Sequence, residues 1–406
     1  MQDMIARPTY MDQLRAFKDT PIIKVVTGIR RCGKSTLFDL FLAELLADGV
    51  TPEQIIRINL EDPDLGDIAD YRALYTLINA RLCADKMNYI FIDEVQMVPD
   101  FQRAVDGLFI KKNCDLYITG SNAYLLSGEL ATLLSGRYVE IKMLPLSFKE
   151  YVSALDAPAD LARTYRDYIE NSGFPYVLNL HRKQDIHAYL ESIYTAVVLK
   201  DIVARRRITD VAQLEHIIRY MFDNIGNLCS ATKIAGAMTA AGRKISPHTV
   251  DNYLLALTDS FVLYKVARYD AKGKQLLTTG SKYYLVDIGL RYYLLGHKRV
   301  DQGHILENIV YLELLRRGYD VFVGKVGNAE IDFIAIDENG ESYYQVAYTV
   351  MGDGVDKNGR TTLERELAPL EAIRDHNPKY LLTMDVTPAT SYNGIRQLNV
   401  LDWLLA

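Results

Sequence analysis

Two glycines, Gly28 and Gly33, separate an apolar run from a helical pattern near the start of the chain. The segment around them reads VVTGIRRCGKST, so that four residues lie between the glycines, and Lys34 and Ser35 follow at once. The run IIKVV before the loop suits a buried strand, and apolar residues recur at helical spacing after it. A strand, a glycine-rich loop and a helix in this order are typical of a phosphate-binding site.

This loop has the chemistry that a nucleoside triphosphate requires. Glycines let backbone N–H groups converge on an anion, and the N-terminus of the following helix adds a partial positive charge. Lys34 is expected to reach the β- and γ-phosphates of ATP, and the Ser35 hydroxyl to bind Mg²⁺. The alternative is a glycine turn that merely precedes a helix. The expected nucleotide-binding residues are Gly28, Arg30, Arg31, Cys32, Gly33, Lys34, Ser35 and Thr36.

A second apolar run, YIFID, ends in two adjacent carboxylates, Asp93 and Glu94. When such a pair follows a phosphate-binding loop in the sequence, it predicts hydrolysis of the nucleotide. Asp93 is expected to hold Mg²⁺, and Glu94 to act as general base toward water. A further run, DLYIT, is followed by Ser121 and Asn122. One of these two polar residues is expected to position the water or to sense the γ-phosphate. The alternative is a polar turn that only closes a strand.

The order of the apolar runs predicts the fold of the first 150 residues. Strands are expected at 22–26, 55–60, 89–93 and 115–119, with helices between them. Strands that alternate with helices form a parallel sheet covered on both faces, and ligands bind at the carboxyl ends of its strands. The sequence therefore predicts an α/β fold of the P-loop nucleotide-hydrolase type.

Length and composition predict a multidomain protein in a reducing compartment. The 406 residues exceed one typical core, so two or three domains are expected. No apolar run has the length of a membrane span, and the first ten residues lack the apolar region of a signal peptide. The four cysteines are scattered without a C-x-x-C pair, which indicates free thiols rather than zinc or disulfides. The expectation is a cytoplasmic protein without membrane contact.

Basic residues are concentrated in the middle of an acidic chain. Residues 200–300 hold 16 Lys or Arg and 8 Asp or Glu, a net charge of +8, whereas the whole chain carries −6. This asymmetry predicts a polyanion as the partner of that segment, with double-stranded DNA as the first candidate. The alternative is an ordinary solvated basic surface.

Two short motifs resemble the AAA-like class of P-loop ATPases. They are IDEVQ, from Ile92 to Gln96, and ITGSN, from Ile118 to Asn122. In that class a catalytic Glu directly follows the Mg²⁺-binding Asp, and an extra strand lies between the phosphate-loop strand and the Asp strand. The resemblance implies that the strand at 115–119 is this inserted strand.

A longer segment, LLSGRYVEIKMLPLSFKEY, resembles a bacterial and archaeal family of AAA-like ATP-binding proteins with a C-terminal domain of unknown function. The resemblance covers nearly the whole chain. In many AAA-like enzymes an arginine from a neighbouring subunit enters the ATP site, and Arg137 is the candidate for that role, which requires a homo-oligomer. The alternative is a structural or surface arginine. After the ATPase core at 1–150, the helical pattern of 151–210 is expected to form the lid of such an ATPase.

Residues 211–290 show the pattern of a winged helix. Three helices are predicted, the second capped by Ser230, and two strands follow around a Lys-Gly-Lys turn. In such a module the third helix enters a major groove and the hairpin contacts the DNA backbone. The alternative is docking of a protein. The expected DNA contacts are Arg243, Lys244, His248, Lys272 and Lys274.

Residues 300–406 resemble the restriction-endonuclease-like fold. A helix with Glu307, a strand with Asp332 and a strand with Gln345 follow the order of that core, in which an Asp and a Glu-x-Lys bind Mg²⁺ and activate water. The third position differs from this pattern, because Gln-Val-Ala stands where the nuclease core has Glu-x-Lys. The missing lysine amine could come from Lys325, on a nearby strand, which is the candidate for this role. A second metal site at Glu307, Asp332 and Gln345 is thus expected only in eroded form, in a domain that does not cleave DNA.

Three functions follow from these patterns. The first, which the sequence favours, is an ATPase whose nucleotide state controls C-terminal domains that bind DNA. The second is an ATP-gated, metal-dependent DNA nuclease. The third is a nucleotide switch for a protein partner, without a nucleic-acid role.

Overall fold

The computed structural model describes most of the chain, which divides into two compact units. The first unit comprises the residues up to Pro145 together with Asp259–Phe261, and the second comprises Leu146–Thr258 and Val262–Ala406. This division lies near the boundary predicted at residue 150. No helix in the described part of the chain is long and apolar enough to cross a membrane. The described residues are 4–65, 68–121, 134, 136–155, 158, 160–203, 206, 208–297, 301–352, 354–357, 359–386 and 390–406.

The first unit is built on a five-stranded parallel sheet. Its strands are β1 (Ile23–Thr27), β2 (Ile55–Asn59), β3 (Asn88–Asp93), β4 (Cys114–Gly120) and β5 (Tyr138–Lys142). Its helices are α1 (Pro8–Ala16), α2 (Lys34–Ala47), α3 (Tyr71–Asn79) and α4 (Phe101–Phe109). The strand order is β2-β3-β4-β1-β5, with all neighbours parallel. The four predicted strands are confirmed, and β4 lies between β1 and β3, as the resemblance implies.

Burial explains why these segments form one sheet. Every residue of β1 and β3 is buried, as expected for strands covered on both faces. On one face, Phe38 of α2 packs against Phe91 of β3, with ring centroids 5.1 Å apart, and Phe41 packs against Tyr117 of β4 at 5.3 Å. On the other face, apolar side chains of α3 and α4 join the sheet in a single buried cluster. The polar residues that follow β1, β3 and β4 therefore gather at one edge of a buried sheet.

The second unit contains an eight-stranded mixed sheet. Its strands are β6 (Leu263–Asp270), β7 (Gln275–Leu285), β8 (Asp320–Val326), β9 (Ala329–Asp337), β10 (Gly340–Ala347), β11 (Lys379–Thr383), β12 (Thr390–Tyr392) and β13 (Ile395–Asn399). They lie in the order β12-β13-β11-β10-β9-β8-β6-β7. Its helices are α5 (Phe148–Ser153), α6 (Leu161–Asn171), α7 (Lys183–Thr195), α8 (Val211–Asp223), α9 (Ala231–Ala240), α10 (Pro247–Asp259), α11 (Ile288–Leu295), α12 (Gln302–Arg316), α13 (Thr362–Glu371) and α14 (Val400–Leu405), and π-helical turns cover Ala196–Val203.

The segment predicted as a winged helix has the expected elements in a different setting. The helices α8, α9 and α10 precede the β6–β7 hairpin, and the Ser230 side chain caps α9. However, β6 also pairs in parallel with β8, from Arg268 opposite Val323 to Asp270 opposite Lys325. The hairpin is therefore the edge of the eight-stranded sheet, because β8 supplies partners for backbone groups that a separate hairpin leaves open. The boundaries predicted near 210 and 290–300 do not separate compact units.

The C-terminal part of the second unit has the predicted order of helix and strands. The helix α12 is followed by the antiparallel strands β8, β9 and β10, and α13 then leads to β11, which is parallel to β10. A parallel neighbour needs such a helical crossover, whereas the antiparallel strands are joined by tight turns. The candidate residues Glu307, Asp332 and Gln345 lie on α12, β9 and β10 in this order.

The helices predicted as a lid belong to the second unit, and a buried carboxylate helps to fix them there. The Asp287 carboxylate accepts a hydrogen bond of 3.0 Å from the N–H of Leu290 at the start of α11 and one of 2.7 Å from the N–H of Gly173, beyond α6. Gly289 lies so close to this loop that a Cβ atom on it would be 2.5 Å from the Ser172 Cβ. The helices α6 and α11 are thus held together within one core, and the lid role remains a prediction.

Candidate ATP site

The two glycines of the loop have backbone conformations that side chains disfavour. Gly28 has a φ of +150°, and a Cβ atom there would lie 2.2 Å from the carbonyl oxygen of Met143. Gly33 has a φ of +104° and directly precedes α2. Side chains disfavour both conformations, and at Gly28 the backbone of Met143 also excludes them. The spacing of the glycines therefore follows from the shape of the loop.

Lys34 folds back over the loop. It is buried, and its Nζ atom donates hydrogen bonds to the carbonyl oxygens of Gly28 (3.0 Å) and Ile29 (3.3 Å). The same atom lies 3.7 Å from Oε1 of Glu94. Lys34 thus stands between the loop and the predicted general base, where a γ-phosphate needs a cation.

The remaining predicted loop residues divide into exposed and internal ones. Ser35 and Thr36 are exposed in the first turn of α2. Arg31 is exposed, with a φ of +67°, and the Arg30 guanidinium donates to the Glu61 carboxylate at 2.9 Å. In contrast, the Cys32 side chain is fully buried, and burial raises the pKa of its thiol. Cys32 therefore contributes its backbone to the loop, and its thiol packs inside.

Asp93 lies at the end of β3 with hydroxyl groups on two sides. Its Oδ1 atom accepts a hydrogen bond of 2.9 Å from the Thr119 hydroxyl of β4, and the Ser35 hydroxyl also hydrogen-bonds this carboxylate. Burial raises the pKa of Asp93, and the bond from Thr119 and the Arg57 guanidinium, 3.8 Å from Oδ2, oppose that rise. The adjacent oxygens of Ser35 and Asp93 are hard donors of the kind that Mg²⁺ prefers, so these residues fit the predicted metal.

Glu94 is held in a single orientation by its backbone and its neighbours. It has a φ of +52°, which is uncommon for a residue with a side chain and occurs at functional sites. Its N–H donates to the Thr119 hydroxyl at 3.0 Å, and its carboxylate accepts hydrogen bonds from Gln96 and Ser121. Burial alone would raise the pKa of Glu94, but Lys34 and these hydrogen bonds bring it below its usual value. Glu94 is therefore a carboxylate at neutral pH.

The structure places Ser121 where the sequence predicts a polar residue. Ser121 is buried at the end of β4, with its hydroxyl 3.4 Å from the Gln96 amide nitrogen. This position beside Glu94 suits a residue that orients water. The second candidate, Asn122, lies outside the described residues.

Three residues that contact the predicted carboxylates were not predicted from the sequence, namely Thr119, Gln96 and Arg57. Thr119 contacts both carboxylates because β4 lies next to β3, and this lateral order is absent from the linear pattern. The feature of the sequence that could have indicated Thr119 is its position as the last residue of the DLYIT run, at a strand end. Gln96 stands in the IDEVQ motif, two residues after the base it contacts. Arg57 gave no signal, because a single arginine in a short strand is common.

Arg137 lies at the far end of the sheet from the phosphate loop. It precedes β5, and its carbonyl oxygen accepts the N–H of Ile23, the first residue of β1. Since β1 spans five residues, the loop is about 15 Å away. The Arg137 guanidinium forms an ion pair with Asp106 and lies over the Phe109 ring at 5.6 Å. Arg137 does not join the ATP site of its own chain.

In the second unit, the residues of the predicted second metal site surround a lysine. The Nζ atom of Lys282, on β7, lies 2.8 Å from Glu330, 3.4 Å from Glu307 and 3.9 Å from Asp332. Burial alone would lower the pKa of Lys282, but Glu307, Asp332 and Glu330 raise it above its usual value, so the amine is an ammonium. The predicted amine, Lys325, is not the one at this site. We call these four residues the Lys282 cluster.

The Lys282 cluster does not fit a divalent metal. The ammonium already occupies the position that faces all three carboxylates, and a metal ion bound to the same oxygens at about 2 Å would lie against it. The third predicted ligand, Gln345, donates its amide nitrogen to Glu366 at 2.8 Å, and its oxygen faces the N–H of Asp332 at 3.4 Å. In the described part of the chain, no three His, Cys, Asp or Glu side chains are grouped to hold a metal ion. The site expected in eroded form at Glu307, Asp332 and Gln345 therefore contains an ion-paired lysine, and its metal and its lack of cleavage stay predictions.

The five side chains predicted to contact DNA are all exposed: Arg243, Lys244, His248, Lys272 and Lys274. Lys274 forms an ion pair with Glu341 at 3.5 Å and remains 66% exposed. Two other cations of the basic segment, Lys282 and Arg291, are buried. The basic surface is therefore smaller than the net charge of the segment suggests.

Two protein-family models match successive segments of the chain. A model described as an AAA domain matches residues 20–152. A model for a domain of unknown function, DUF8612, matches residues 162–301. The first match covers the β1–β5 sheet with its phosphate loop, and the second covers the helices α6 to α11 and the β6–β7 hairpin.

Two relatives match nearly the full chain. An uncharacterized protein of Haemophilus influenzae is 40% identical over 408 residues, which span 99% of both chains. An uncharacterized protein of Methanocaldococcus jannaschii, MJ1544, is 30% identical over 372 residues, spanning 87% of this chain and 79% of the relative.

Among solved structures, a Walker-type ATPase of Pyrococcus abyssi aligns over 72% of this chain and 96% of its own, with 16% identity and a TM-score of 0.49. The Aeropyrum pernix ORC1 protein in complex with DNA aligns over 72% and 93%, with 13% identity and a TM-score of 0.32.

The Lys282 cluster predicts a large effect of removing its ammonium group. Lys282→Met leaves buried carboxylates without their cation, which is expected to cost about 3 kcal/mol or more. Thermal unfolding of the full chain should then shift down by roughly 6 °C or more. Lys325→Met, at the partly exposed lysine of β8, is the control and should change the midpoint little. An unchanged midpoint in Lys282→Met would contradict the ion-paired arrangement.

Proposed function

The chain is an AAA-domain protein of the same family as its Haemophilus influenzae and Methanocaldococcus jannaschii relatives, and on this premise we propose that it hydrolyses ATP and uses the nucleotide state to control DNA binding by its second unit. The observation that carries the proposal is the arrangement around Thr119. This hydroxyl contacts both Asp93 and the backbone of Glu94, while Lys34 approaches Glu94 from the loop.

The phosphates are bound by the loop and the helix that follows it. Backbone N–H groups and the N-terminus of α2 face the anion. Lys34 exchanges the carbonyl oxygens of Gly28 and Ile29 for oxygens of the β- and γ-phosphates. The Ser35 hydroxyl and the Asp93 carboxylate would hold Mg²⁺, which would neutralise charge on the phosphate oxygens.

Water is activated by Glu94. Its carboxylate is ionised at neutral pH, so it accepts a proton from the attacking water. Gln96 and Ser121 hold this carboxylate, and the Thr119 hydroxyl fixes the peptide N–H beside it. The base is thereby oriented before the substrate binds, which is the condition for efficient proton transfer.

The chain path offers a route from the nucleotide to the second unit. The Met143 carbonyl lies against Gly28 of the phosphate loop, and the first unit ends two residues later, at Pro145. A change in the loop on hydrolysis therefore acts on the segment that leads into α5. We propose that this segment transmits the nucleotide state.

Arg137 remains the candidate for an arginine that acts on a neighbouring subunit. Because Arg137 lies at the end of β1 and β5 that is far from the phosphate loop, it cannot reach the ATP site of its own chain. We propose that it contacts the ATP site of a neighbouring subunit instead. For this role the guanidinium must exchange Asp106 for the γ-phosphate of a neighbour. The proposal therefore includes a homo-oligomer as the active form.

The first test separates binding from hydrolysis. Glu94→Gln keeps the shape of the site but removes the proton acceptor, so kcat for ATP should fall by about a hundredfold or more while the Kd for ATP stays within about threefold. Phosphate release and nucleotide titration measure the two quantities. Glu53→Gln, at an exposed carboxylate just before β2, is the control and should keep full turnover. Retained hydrolysis in Glu94→Gln would refute its role as base.

The second test asks whether DNA is bound and whether it is cut. Duplex DNA should bind with an affinity that falls with salt. The double variant Lys272→Ala with Lys274→Ala should flatten the slope of log affinity against log salt by about 1 to 2. Arg163→Ala with Lys183→Ala, at exposed cations of α6 and α7, is the matched control. Because the Lys282 cluster does not fit a metal, we expect no cleavage with Mg²⁺ or Mn²⁺.

The alternatives are outcomes of the same experiment. Divalent-dependent cleavage that Asp332→Ala abolishes would establish the nuclease and overturn the non-cleaving proposal. Absence of DNA binding at low salt would leave a nucleotide switch for a protein partner.

A further inference from the structure

Arg7 is a buried cation near the start of the chain that the proposed mechanism does not use. It directly precedes α1, and only 3% of the residue is exposed. Its Nη1 atom donates a hydrogen bond of 3.0 Å to the carbonyl oxygen of Cys32, and its Nη2 atom donates one of 2.7 Å to the carbonyl oxygen of Leu144. The guanidinium group therefore joins the phosphate loop to the segment that follows β5.

The carbonyl group that Arg7 holds fixes the direction of a neighbouring N–H. The peptide bond between Cys32 and Gly33 is trans, and in a trans peptide the C=O and the N–H point in opposite directions. With the Cys32 oxygen bonded to Arg7, the N–H of Gly33 points away from the guanidinium. Gly33 immediately precedes the first turn of α2, the place where backbone N–H groups bind phosphate.

We propose that Arg7 is a positioning residue that holds the Cys32–Gly33 peptide in the orientation that donates to the β-phosphate of ATP or ADP. The inference rests on the proposed nucleotide-binding function. A flipped peptide would present the Cys32 carbonyl oxygen to the phosphate. The partial negative charge of this oxygen would repel the phosphate anion. Arg7 opposes that flip because its cation attracts the oxygen to the other side of the loop. It acts without touching the nucleotide.

The segment Met143–Leu144, which accepts the second hydrogen bond from Arg7, also contacts the start of the loop. The N–H of Met143 donates to the carbonyl oxygen of Thr27 at 2.7 Å, and the Met143 carbonyl lies against Gly28. Met143 thus contacts the beginning of the loop directly. Leu144 is linked to the end of the loop through Arg7. A planar guanidinium can donate to two carbonyl groups in fixed directions, whereas a lysine ammonium is a single point charge.

Tyr10 provides a matched control, because it makes the same attachment without touching the loop. The N–H of Leu144 donates to the Tyr10 hydroxyl at 3.0 Å, and the Arg7 guanidinium lies over the Tyr10 ring at 4.9 Å. Both side chains therefore fasten the start of the chain to Leu144. If Arg7 only fastens α1 to the core, loss of either attachment should have the same effect on nucleotide binding.

The test compares Arg7→Ala with Tyr10→Phe in the full chain. Fluorescent ADP and ATP analogues are titrated at a temperature at which thermal unfolding shows each variant to be folded. The Kd of both nucleotides should rise about tenfold or more in Arg7→Ala, the effect of losing one well-placed hydrogen bond to phosphate. It should stay within about twofold in Tyr10→Phe. Arg7→Lys should lie between Arg7→Ala and the wild type.

Each outcome decides a separate question. If the wild type does not bind ADP, the proposed function fails and the inference fails with it. If the wild type binds ADP and Arg7→Ala binds it equally well, the inference alone is overturned. Equal weakening in Arg7→Ala and Tyr10→Phe also overturns it, because attachment of α1 then explains the loss. If Arg7→Ala is unfolded, folded Arg7→Lys decides, with weakened binding in support and wild-type affinity against.

Discussion

The hydroxyl group of Thr119 links Asp93 and Glu94, the two acidic residues on which the proposed hydrolysis depends. It donates to the Asp93 carboxylate and accepts the N–H of Glu94, so that one side chain fixes both the proposed metal-binding group and the peptide of the proposed base. This contact exists only because β4 lies between β1 and β3. In a sheet without the inserted strand, β1 would be the direct neighbour of β3, and the Thr119 hydroxyl would not lie beside Glu94. The strand order is therefore the constraint from which the site follows.

The part of this site that local patterns determine could be predicted from the sequence. Gly28, Gly33, Lys34, Ser35, Asp93 and Glu94 are each set by a strand end or a helix start, and the four predicted strands agree with the structure. Contacts between distant segments could not be predicted. Arg7 reaches Cys32 and Leu144 across 25 and 137 residues, and nothing in the sequence around Arg7 marks it as part of the site.

In the second unit, too, the contacts between distant segments could not be predicted from the sequence. The order of helices and strands was predictable because apolar periodicity is local, but the pairing of β6 with β8 was not. That pairing merges the predicted winged helix with the C-terminal sheet and brings Lys282 to Glu307 and Asp332. The sequence pattern placed the amine on β10, where Ala347 stands, or at Lys325 on β8. The amine instead comes from β7, where it neutralises the carboxylates that a metal would need.

The claim that Thr119 organises the hydrolytic site is tested most directly by the ATP turnover rate of Thr119→Val relative to Thr119→Ser. Valine keeps the shape of threonine but removes the hydroxyl, so the Asp93 carboxylate and the Glu94 N–H each lose a partner. Serine keeps the hydroxyl and loses only a methyl group. With ATP binding measured in parallel, kcat should fall at least tenfold in Thr119→Val, as for loss of one positioned hydrogen bond, and stay within about threefold in Thr119→Ser. Wild-type turnover in Thr119→Val would contradict the account.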